Sequence, residues 1–259
     1  MLKVMNYYWR LIATAIAFIL FGIGGIFVPL LATPVLYLLP GNKRLRQVGA
    51  RKLIHIVFKA YIHMMRAMGI LTWDVQGLEK LQRPGILVLA NHPTLLDVVF
   101  LVAFVPNANC IVKSRLMQNP AMKGFVTITG YITNDNGETL VEKACCSMDS
   151  GSALIIFPEG TRTTPGSELS FQRGAANIIV RGKVKPTPVV INCQPETLSK
   201  HQKWYHIPDR KFHLSFCVLD DMEVEKYMEM NASVAARQLT RYLEDTYTQE
   251  VMLDERRSI

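Results

Sequence analysis

Two short polar segments carry the residues of this chain that could do chemistry. The first is residues 91–97, with the sequence NHPTLLD, and the second is residues 157–162, with the sequence FPEGTR. Each follows a short apolar run, residues 86–90 and residues 153–156, that is typical of a buried strand. Proteins of the α/β class build active sites from polar side chains at strand ends, where a helix begins. The two segments would supply a base, a group that orients the base, and an anion clamp.

In the first segment, the spacing of His92 and Asp97 would let the carboxylate bind the imidazole. If a helix starts near Thr94, Asp97 lies in its first turn and can face back toward His92. A carboxylate bonded to one ring nitrogen fixes the tautomer and raises the basicity of the other nitrogen. His92 is therefore a candidate general base for a hydroxyl group. Two simpler interpretations stay open, because Thr94 and Asp97 resemble a capping box and His92 could be a turn histidine held by backbone bonds.

The second segment offers an acid, a permissive turn and a cation. Gly160 stands between Glu159 and Arg162 in the sequence and permits a close approach of the backbone. The planar guanidinium of Arg162 is suited to a phosphate group. The simpler alternative is a solvated salt bridge in a surface loop, which would contribute little.

Together the two segments resemble the glycerolipid acyltransferase family, which includes the 1-acylglycerol-3-phosphate acyltransferases. The family's N-H-x-x-x-x-D motif is matched within residues 91–97, and its F-P-E-G-T-R motif is matched at residues 157–162. Residues 170–175 resemble a basic-glycine element of the family, and residues 187–191 resemble its proline-led β run. The resemblance covers about residues 75–195.

The resemblance implies an acyl transfer without a cofactor or a metal. The donor would be an acyl thioester on coenzyme A or acyl carrier protein, and the acceptor a hydroxyl of a lysophospholipid such as 1-acylglycerol-3-phosphate. The acceptor hydroxyl would lose its proton to His92, which Asp97 orients, while backbone N–H groups at the strand ends stabilise the oxyanion. The expected catalytic residues are His92 and Asp97, and the expected substrate-binding residues are Asn91, Lys113, Asn136, Glu159, Gly160, Thr161, Arg162 and Arg173.

The chain departs from the family pattern at Asn136. The family's second motif usually ends in Asp-Arg, with an arginine that helps to hold the acceptor's phosphate, whereas residues 130–136 here read GYITNDN. An asparagine can hydrogen-bond to a phosphate but does not neutralise it. The acceptor therefore stays open among lysophosphatidic acid, a lysophospholipid with a head group, another hydroxylated lipid and a specialised metabolite. A membrane lipid-binding protein that has lost catalysis is the alternative from another class.

Short β-rich runs alternate with helical patterns after Trp73, which predicts an α/β fold with a mostly parallel sheet flanked by helices. The expected strands lie near residues 73–76, 86–90, 110–113, 153–157, 187–192 and 212–218. The expected helices lie near residues 43–71, 94–104, 138–148, 172–180 and 232–247. We divide the chain into a membrane-binding segment (1–42), a helical connection (43–72), an α/β acyltransferase core (73–220) and a C-terminal helical element (221–259).

The N-terminal region combines an uncharged apolar run with basic flanks. No charged residue occurs from Leu11 to Leu39, and no Asp or Glu occurs before Asp74. The run is longer than the roughly 20 residues of a membrane-spanning helix, but glycines and prolines interrupt it. It fits a single spanning helix followed by an interfacial segment, a helical hairpin within one leaflet, or a buried pair of core helices. The flanking cations favour a membrane location with the rest of the chain on the cytoplasmic face, as at a bacterial inner membrane.

The expected partners are membrane lipids. The basic N-terminal region would also attract an acidic acyl carrier protein. No nucleic-acid-binding signature is recognisable, and the five cysteines form no metal-ligand spacing. We expect the cysteines to be reduced and packed as small apolar groups.

Overall fold

One β-sheet of seven strands organises the computed structural model, which describes residues 2–38, 40–134, 137–164 and 166–257. The strands are β1 (Leu71–Gln76), β2 (Leu87–Ala90), β3 (Ala108–Val112), β4 (Ile132–Thr133), β5 (Ala153–Ile156), β6 (Pro186–Gln194) and β7 (Phe212–Val218). The helices are α1 (Leu2–Leu38), α2 (Lys43–Ala67), α3 (Asp97–Phe104), α4 (Pro120–Thr129), α5 (Gly137–Asp149), α6 (Arg173–Gly182), α7 (Glu225–Met228) and α8 (Ala232–Arg257). Two 3₁₀ turns lie at Leu78–Leu81 and Ser114–Gln118.

The strand order is β1-β7-β6-β2-β5-β3-β4, which places β2 between β6 and β5 near the middle of the sheet. All neighbouring strands are parallel except β6 and β7, which run antiparallel. Every residue of β2 and β5 is buried, as expected for parallel strands that are covered on both faces. The prediction of an α/β fold with a mostly parallel sheet flanked by helices is confirmed.

Two hydrophobic layers cover the sheet, and β2 contributes to both. Val88 and Ala90 pack in the layer that contains residues of α1, α2 and α3. Leu87 and Leu89 point the other way, into the layer that contains residues of α6 and α8. Because successive side chains of a strand face opposite sides, the polar residues that follow β2 emerge at the edge between the two layers.

Helix α1 is continuous as far as Leu38, although Pro29 and Pro34 lie inside it. It is the one helix of the described residues that is long and apolar enough to cross a membrane. Residues 11–38 of this run belong to one helix and form no hairpin. The helix instead rests on the domain along its length: the indole Nε1 of Trp9 donates to the Met68 carbonyl (3.0 Å), and Ala17 accepts from the hydroxyl of Tyr61 (3.0 Å).

Helix α1 approaches α4 closely at Gly25. A β-carbon at Gly25 would lie 2.2 Å from the carbonyl oxygen of Ala121, and one at Gly124 would lie 2.7 Å from the ring of Pro29. Pro29 has no N–H, so it leaves the carbonyl of Gly25 without its helical partner. That carbonyl lies beside Gly124, where α4 shields it. Gly25 therefore permits the close contact between α1 and α4 and does not interrupt α1.

The opposite side of α1 is an apolar face that no protein covers. Its exposed side chains are Ile12, Ile16, Ile19, Leu20, Ile23, Ile26, Phe27, Leu30, Leu31 and Val35. The buried side of the same helix, at Ala13 and Ala17, shares one hydrophobic core with α2 and the sheet. The predicted boundary at residue 42 thus falls between α1 and α2, but both helices belong to the core that supports β2.

The close contact of Gly25 with α4 predicts that alanine substitutions at Gly24 and at Gly25 have opposite effects on the thermal unfolding midpoint. Gly24→Ala should raise the thermal unfolding midpoint, because a helical Gly→Ala change gains up to about 1 kcal/mol and nothing lies within 4 Å of the new methyl group. Gly25→Ala should lower the midpoint, since overpacking against the Ala121 carbonyl costs about 1–3 kcal/mol. Thermal unfolding of both variants in one detergent measures the difference. Equal shifts would show that α1 does not pack on α4 at Gly25.

Candidate active site

Three adjacent strands bring the candidate residues to one edge of the sheet. β2 leads into residues 91–97, here called the histidine loop, and β5 leads into residues 157–164, here called the glutamate loop. Lys113 follows β3, on the far side of β5. Because β2, β5 and β3 are parallel, their carboxyl ends meet at this edge. Two motifs about sixty residues apart in the sequence therefore lie side by side.

The histidine loop contains the predicted pair of His92 and Asp97. Nδ1 of His92 lies 2.7 Å from Oδ2 of Asp97. The side chain of Asp97 is fully buried, and that of His92 is 15% exposed. An ionised carboxylate only accepts hydrogen bonds, so Nδ1 carries the proton and Nε2 carries the lone pair. The pair therefore presents Nε2 of His92 as a base, and the carboxylate of Asp97 fixes the tautomer of the ring.

Thr94 holds the carboxylate of Asp97 in place. Its backbone N–H donates to Oδ2 (2.8 Å), and its hydroxyl donates to Oδ1 (2.5 Å). Helix α3 begins at Asp97 rather than near Thr94, so Thr94 lies in the turn before the helix. The carboxylate of Asp97 accepts from the Thr94 N–H, as in a capping box, and also faces the imidazole, but the N-cap of α3 is Leu96, so the full capping box is not formed. Thr94 was missed as a site residue, although its capping spacing was visible in the sequence.

Glu159 joins the two loops. Its Oε1 accepts from the backbone N–H of His92 (2.8 Å), and its Oε2 accepts from the hydroxyl of Thr163 (2.8 Å). The backbone N–H of Thr163 in turn donates to the carbonyl of His92 (2.8 Å). Burial raises the pKa of the Glu159 carboxyl above its usual value, and these donors lower it in part. The contacts of Glu159 are those of a positioning residue, and its predicted contact with the substrate stays a prediction.

Asn91 also makes structural contacts, and its predicted contact with the substrate stays a prediction. Its amide donates to the carbonyl of Ile191 (2.8 Å) and accepts from the N–H of Ile191 (2.7 Å). These two bonds extend the pairing of β2 with β6 by one residue beyond Ala90. The side chain of Asn91 is buried, so it fixes the start of the histidine loop.

Phe157 covers one face of the imidazole. Its ring stacks on that of His92 with a centroid distance of 4.2 Å and an interplanar angle of 27°. The ring plane of His92 is thus held from the side by Phe157 and from behind by Asp97. Phe157 belongs to a motif recognised in the sequence, but its contact with His92 has no signature there.

Arg162 is tied to the segment that follows β6. Its Nη1 donates to the carbonyls of Leu198 (2.8 Å) and Ser199 (2.9 Å). The Leu198 carbonyl also accepts from the N–H of Leu95 in the histidine loop (3.1 Å). One nitrogen of the guanidinium therefore positions Arg162, while no hydrogen bond from its Nη2 is found within the described residues.

The other predicted substrate-binding residues surround the two loops. Gly160 adopts a left-handed backbone (φ +65°), which glycine tolerates best, and it is exposed, while Thr161 next to it is half-buried. Lys113 and Arg173 are exposed, and Arg173 is the first residue of α6. Asn136 lies outside the described residues. The exposed cations at this edge, with the free part of Arg162, suit an anionic substrate.

A cleft of about 400 Å³ lies beside the histidine loop. Its lining includes Thr94, Thr163, Asn192 and, from α8, Thr248 and Met252. Nδ2 of Asn192 is buried and has no hydrogen-bond partner within the described residues. It therefore offers a donor to a molecule in the cleft. Over the same residues no group of three or more His, Cys, Asp or Glu side chains is arranged to hold a metal ion.

Comparison with known proteins points to one family. The family model described as "Acyltransferase" matches residues 72–192. The 1-acyl-sn-glycerol-3-phosphate acyltransferase of Saccharomyces cerevisiae is 28% identical over 197 residues, which are 72% of this chain and 60% of that protein. The enzyme of the same name from Helicobacter pylori is 37% identical over 112 residues, which are 40% of this chain and 47% of that protein. The chain thus matches about half of the length of these curated relatives.

The fold is that of a solved acyltransferase. The crystal structure of the 1-acyl-sn-glycerophosphate acyltransferase PlsC from Thermotoga maritima superposes with a TM-score of 0.72. The match covers 97% of this chain and 98% of that chain at 20% sequence identity. The shared architecture includes the N-terminal helical region as well as the sheet.

The contacts of Glu159 predict different outcomes for two substitutions. Glu159→Gln should keep both hydrogen bonds, because an amide oxygen accepts from the His92 N–H and the hydroxyl of Thr163 can accept from the amide. Burial raises the pKa of Glu159, so the native protein should lose stability, relative to the Gln variant, as the pH rises from about 4.5 through that raised value. Glu159→Ala should lose about 1–3 kcal/mol at every pH, since the His92 N–H loses its acceptor.

Thermal unfolding of the three proteins between pH 4 and pH 8 tests this. A Gln variant as unstable as the Ala variant would show that Glu159 does not act through these two hydrogen bonds.

Proposed function

We propose that the chain is an acyltransferase of the family whose model matches residues 72–192, and that it moves an acyl chain from an acyl thioester to a hydroxyl of a lysophospholipid. The observation that carries the proposal is the pair of His92 and Asp97, held after the end of β2 with Nε2 of the imidazole left as a base. Glu159 fixes the backbone of this base to the glutamate loop, which carries Arg162. A base and an anion-binding group at one sheet edge are what acyl transfer to a phosphate-bearing alcohol requires.

The proposed reaction needs one proton relay and no covalent enzyme intermediate. The acceptor oxygen attacks the thioester carbonyl carbon while Nε2 of His92 takes the hydroxyl proton. The C–S bond then breaks, and the imidazolium returns the proton to the departing thiolate. Asp97 faces the protonated ring at 2.7 Å and stabilises its positive charge. This stabilisation is most effective where water is excluded.

For the acceptor we propose a lysophospholipid with a phosphate, such as 1-acylglycerol-3-phosphate. Support comes from Arg162, Lys113 and Arg173 at the carboxyl edge of the sheet, because cations bind phosphate oxygens strongly. The names of the matched relatives give the same acceptor for those proteins. Asn136 replaces the arginine of the family motif, so the choice between lysophosphatidic acid and another lysophospholipid is the finer part of this proposal.

For the donor we propose acyl-coenzyme A or acyl-acyl carrier protein, with no further cofactor. The base, the orienting carboxylate and the cations of the mechanism all come from the chain itself. The cleft beside the histidine loop has room for part of the donor, since ligand pockets commonly measure about 300–1,000 Å³. The unpartnered Nδ2 of Asn192 is available to a carbonyl of the donor's pantetheine arm.

We propose that α1 holds the protein on one leaflet of a membrane without crossing it. Its uncovered face is apolar, while its other face contacts the domain from Trp9 through Gly25. A helix that spanned the bilayer would carry these contacts into the hydrocarbon. Apolar helices that lie in the interface plane bury one face among the acyl chains. The cations that flank the uncharged run Leu11–Leu39 in the sequence favour the cytoplasmic face, as at a bacterial inner membrane.

We expect His92→Ala to abolish acyl transfer and to leave the fold intact, because the lost base contributes at least about 10²-fold to the rate. Asp97→Asn should fold normally, since an amide oxygen can accept from His92 and from Thr94 in the same geometry. Its kcat should nevertheless fall, because the imidazolium loses its anionic partner. Release of free thiol from acyl-coenzyme A, on addition of lysophosphatidic acid, measures the rate. Near-normal turnover of His92→Ala would refute the mechanism.

We expect Arg162→Ala to raise the KM for the lipid acceptor strongly and the KM for the thioester little, since a guanidinium pairs with phosphate. Arg162→Lys is the matched variant, because it keeps the charge and loses the planar fork. Its KM for the acceptor should lie between those of the native protein and the Ala variant. Equal effects on both substrates would assign Arg162 to holding Leu198 and Ser199 alone.

A further inference from the structure

Residues 199–211, here called the basic loop, connect β6 to β7 on the flank of α1. The loop has the sequence SKHQKWYHIPDRK, with four Lys or Arg residues and one Asp. It also contains two adjacent aromatic residues, Trp204 and Tyr205, whose side chains are 41% and 40% exposed. Neither its charge nor its exposed aromatic pair has a role in the mechanism proposed above.

The composition of the basic loop is that of a membrane interface. Tryptophan and tyrosine are enriched where a membrane meets water, because one end of each ring is apolar and the other end is polar. Lysine side chains lay their stems along apolar surfaces and keep the ammonium group near lipid phosphates. Here the ammonium group of Lys203 lies 5.6 Å from the ring centroid of Tyr205, so the cation and the aromatic ring face outward together.

The structure fixes the basic loop against α1. The ring of Trp204 contacts that of Phe18 with a centroid distance of 5.8 Å. Arg10 of α1 donates from Nη1 to the Pro208 carbonyl (2.8 Å) and from Nη2 to the Asp209 carbonyl (2.6 Å). The loop therefore cannot move away from the helix whose apolar face we assign to the membrane. These contacts hold the exposed Trp204 beside α1.

We propose that the basic loop docks on the headgroup layer of an anionic lipid membrane. This inference rests on the proposed membrane association of α1 and adds a second, polar contact beside it. Four cations against one acid suit a negatively charged surface, and the exposed aromatic pair suits the boundary between headgroups and acyl chains. An acidic carrier protein would meet the same cations, but the contact of Trp204 with α1 favours the lipid surface.

The basic loop is connected to the active site by hydrogen bonds to its backbone carbonyls and to that of the residue before it. Ser199, the first residue of the basic loop, and Leu198 before it both accept from Arg162. Leu198 also accepts from the N–H of Leu95 in the histidine loop. Docking on lipid therefore steadies the segment that positions Arg162 and the histidine loop. An acceptor that is itself a membrane lipid would arrive on the same surface.

Tryptophan fluorescence of the full chain on vesicles tests the location of the loop. The chain has three tryptophans, of which Trp73 packs against the core residue Phe100 and provides a reference. Trp9→Phe leaves Trp204 as the reporter of the loop, and Trp204→Phe leaves Trp9 as the reporter of α1. In vesicles of brominated phosphatidylglycerol, we expect strong quenching of both variants relative to the double variant. Quenching of the Trp9→Phe protein no greater than that of the double variant would overturn the proposal.

This experiment separates the inference from its premise. If the Trp204→Phe protein is also unquenched, α1 does not lie in the membrane and the proposed membrane association fails. If Trp9 is quenched and Trp204 is not, only the docking of the basic loop fails. Arg241→Trp in the double variant places a tryptophan on an exposed position of α8, on the opposite side of the sheet, and should not be quenched.

Charge reversal tests the chemistry of the proposed partner. The double variant Lys200→Glu, Lys203→Glu should partition from neutral micelles into phosphatidylglycerol vesicles more weakly by about fivefold or more. The reason is that each cation near an anionic surface strengthens binding by about fivefold. Partitioning into phosphatidylcholine vesicles should change little. The matched control is Arg237→Glu with Arg241→Glu, which makes the same charge change on exposed positions of α8. Equal losses in the two double variants would refute a specific contact of the loop.

Transfer rates identify the alternative partner. With acyl-coenzyme A as donor, the loop variant should be slower than the native protein on phosphatidylglycerol vesicles and equal to it in neutral detergent micelles. A defect that occurs only with acyl-acyl carrier protein, in micelles as well as on vesicles, would assign the basic loop to the carrier protein and overturn the lipid assignment.

Discussion

The buried carboxylate of Glu159 is the interaction on which the arrangement of the site depends. It accepts the backbone N–H of His92 and the hydroxyl of Thr163, and so joins the loops that follow β2 and β5. A buried carboxylate is costly unless donors surround it, and here both oxygens have a donor. Removing the carboxylate would leave three other hydrogen-bonded attachments of the histidine loop described above, through Asn91, through the Thr163 N–H and through the Leu198 carbonyl. The base is therefore positioned mainly through its backbone, while Asp97 and Phe157 set its ring.

The sequence predicted the elements that carry strong local patterns. Apolar runs located β2 and β5, and the residues after them identified the histidine and glutamate loops. Helix α4 was missed even though Pro120 and Gly130 are its first-turn and C-terminal signals, because the residues between them are mixed in propensity. Strand β4 has two residues, which is too short for any periodicity. The antiparallel pairing of β6 with β7 depends on the path of a long loop, which has no local signature.

The roles of single side chains were harder to predict than their location. Asn91, Glu159 and Arg162 were expected to touch the substrate because they are polar and belong to motifs. In the structure, Asn91 and Glu159 bind backbone groups, and Arg162 gives one nitrogen to two carbonyls. Backbone donors and acceptors look the same at every position of a sequence, so such partners appear only in three dimensions. The glycines of α1 show the same limit, because Gly25 marks a helix contact that the sequence presented as an interruption.

The length of α1 would have a different consequence in one leaflet than the length of a helix that spans the bilayer. Spanning segments are sorted among membranes by how well their apolar length matches the thickness of the hydrocarbon layer. Helix α1 is attached to the domain from Trp9 through Gly25, so it lies along the surface of the protein. In the proposed one-leaflet placement, its 37 residues therefore measure a distance within the plane of the membrane. A helix of that kind responds to the spacing and curvature of the outermost lipids rather than to bilayer thickness. In that placement the protein would be indifferent to membrane thickness and sensitive to how crowded one leaflet is, and the lipid product of the proposed reaction would itself alter that crowding.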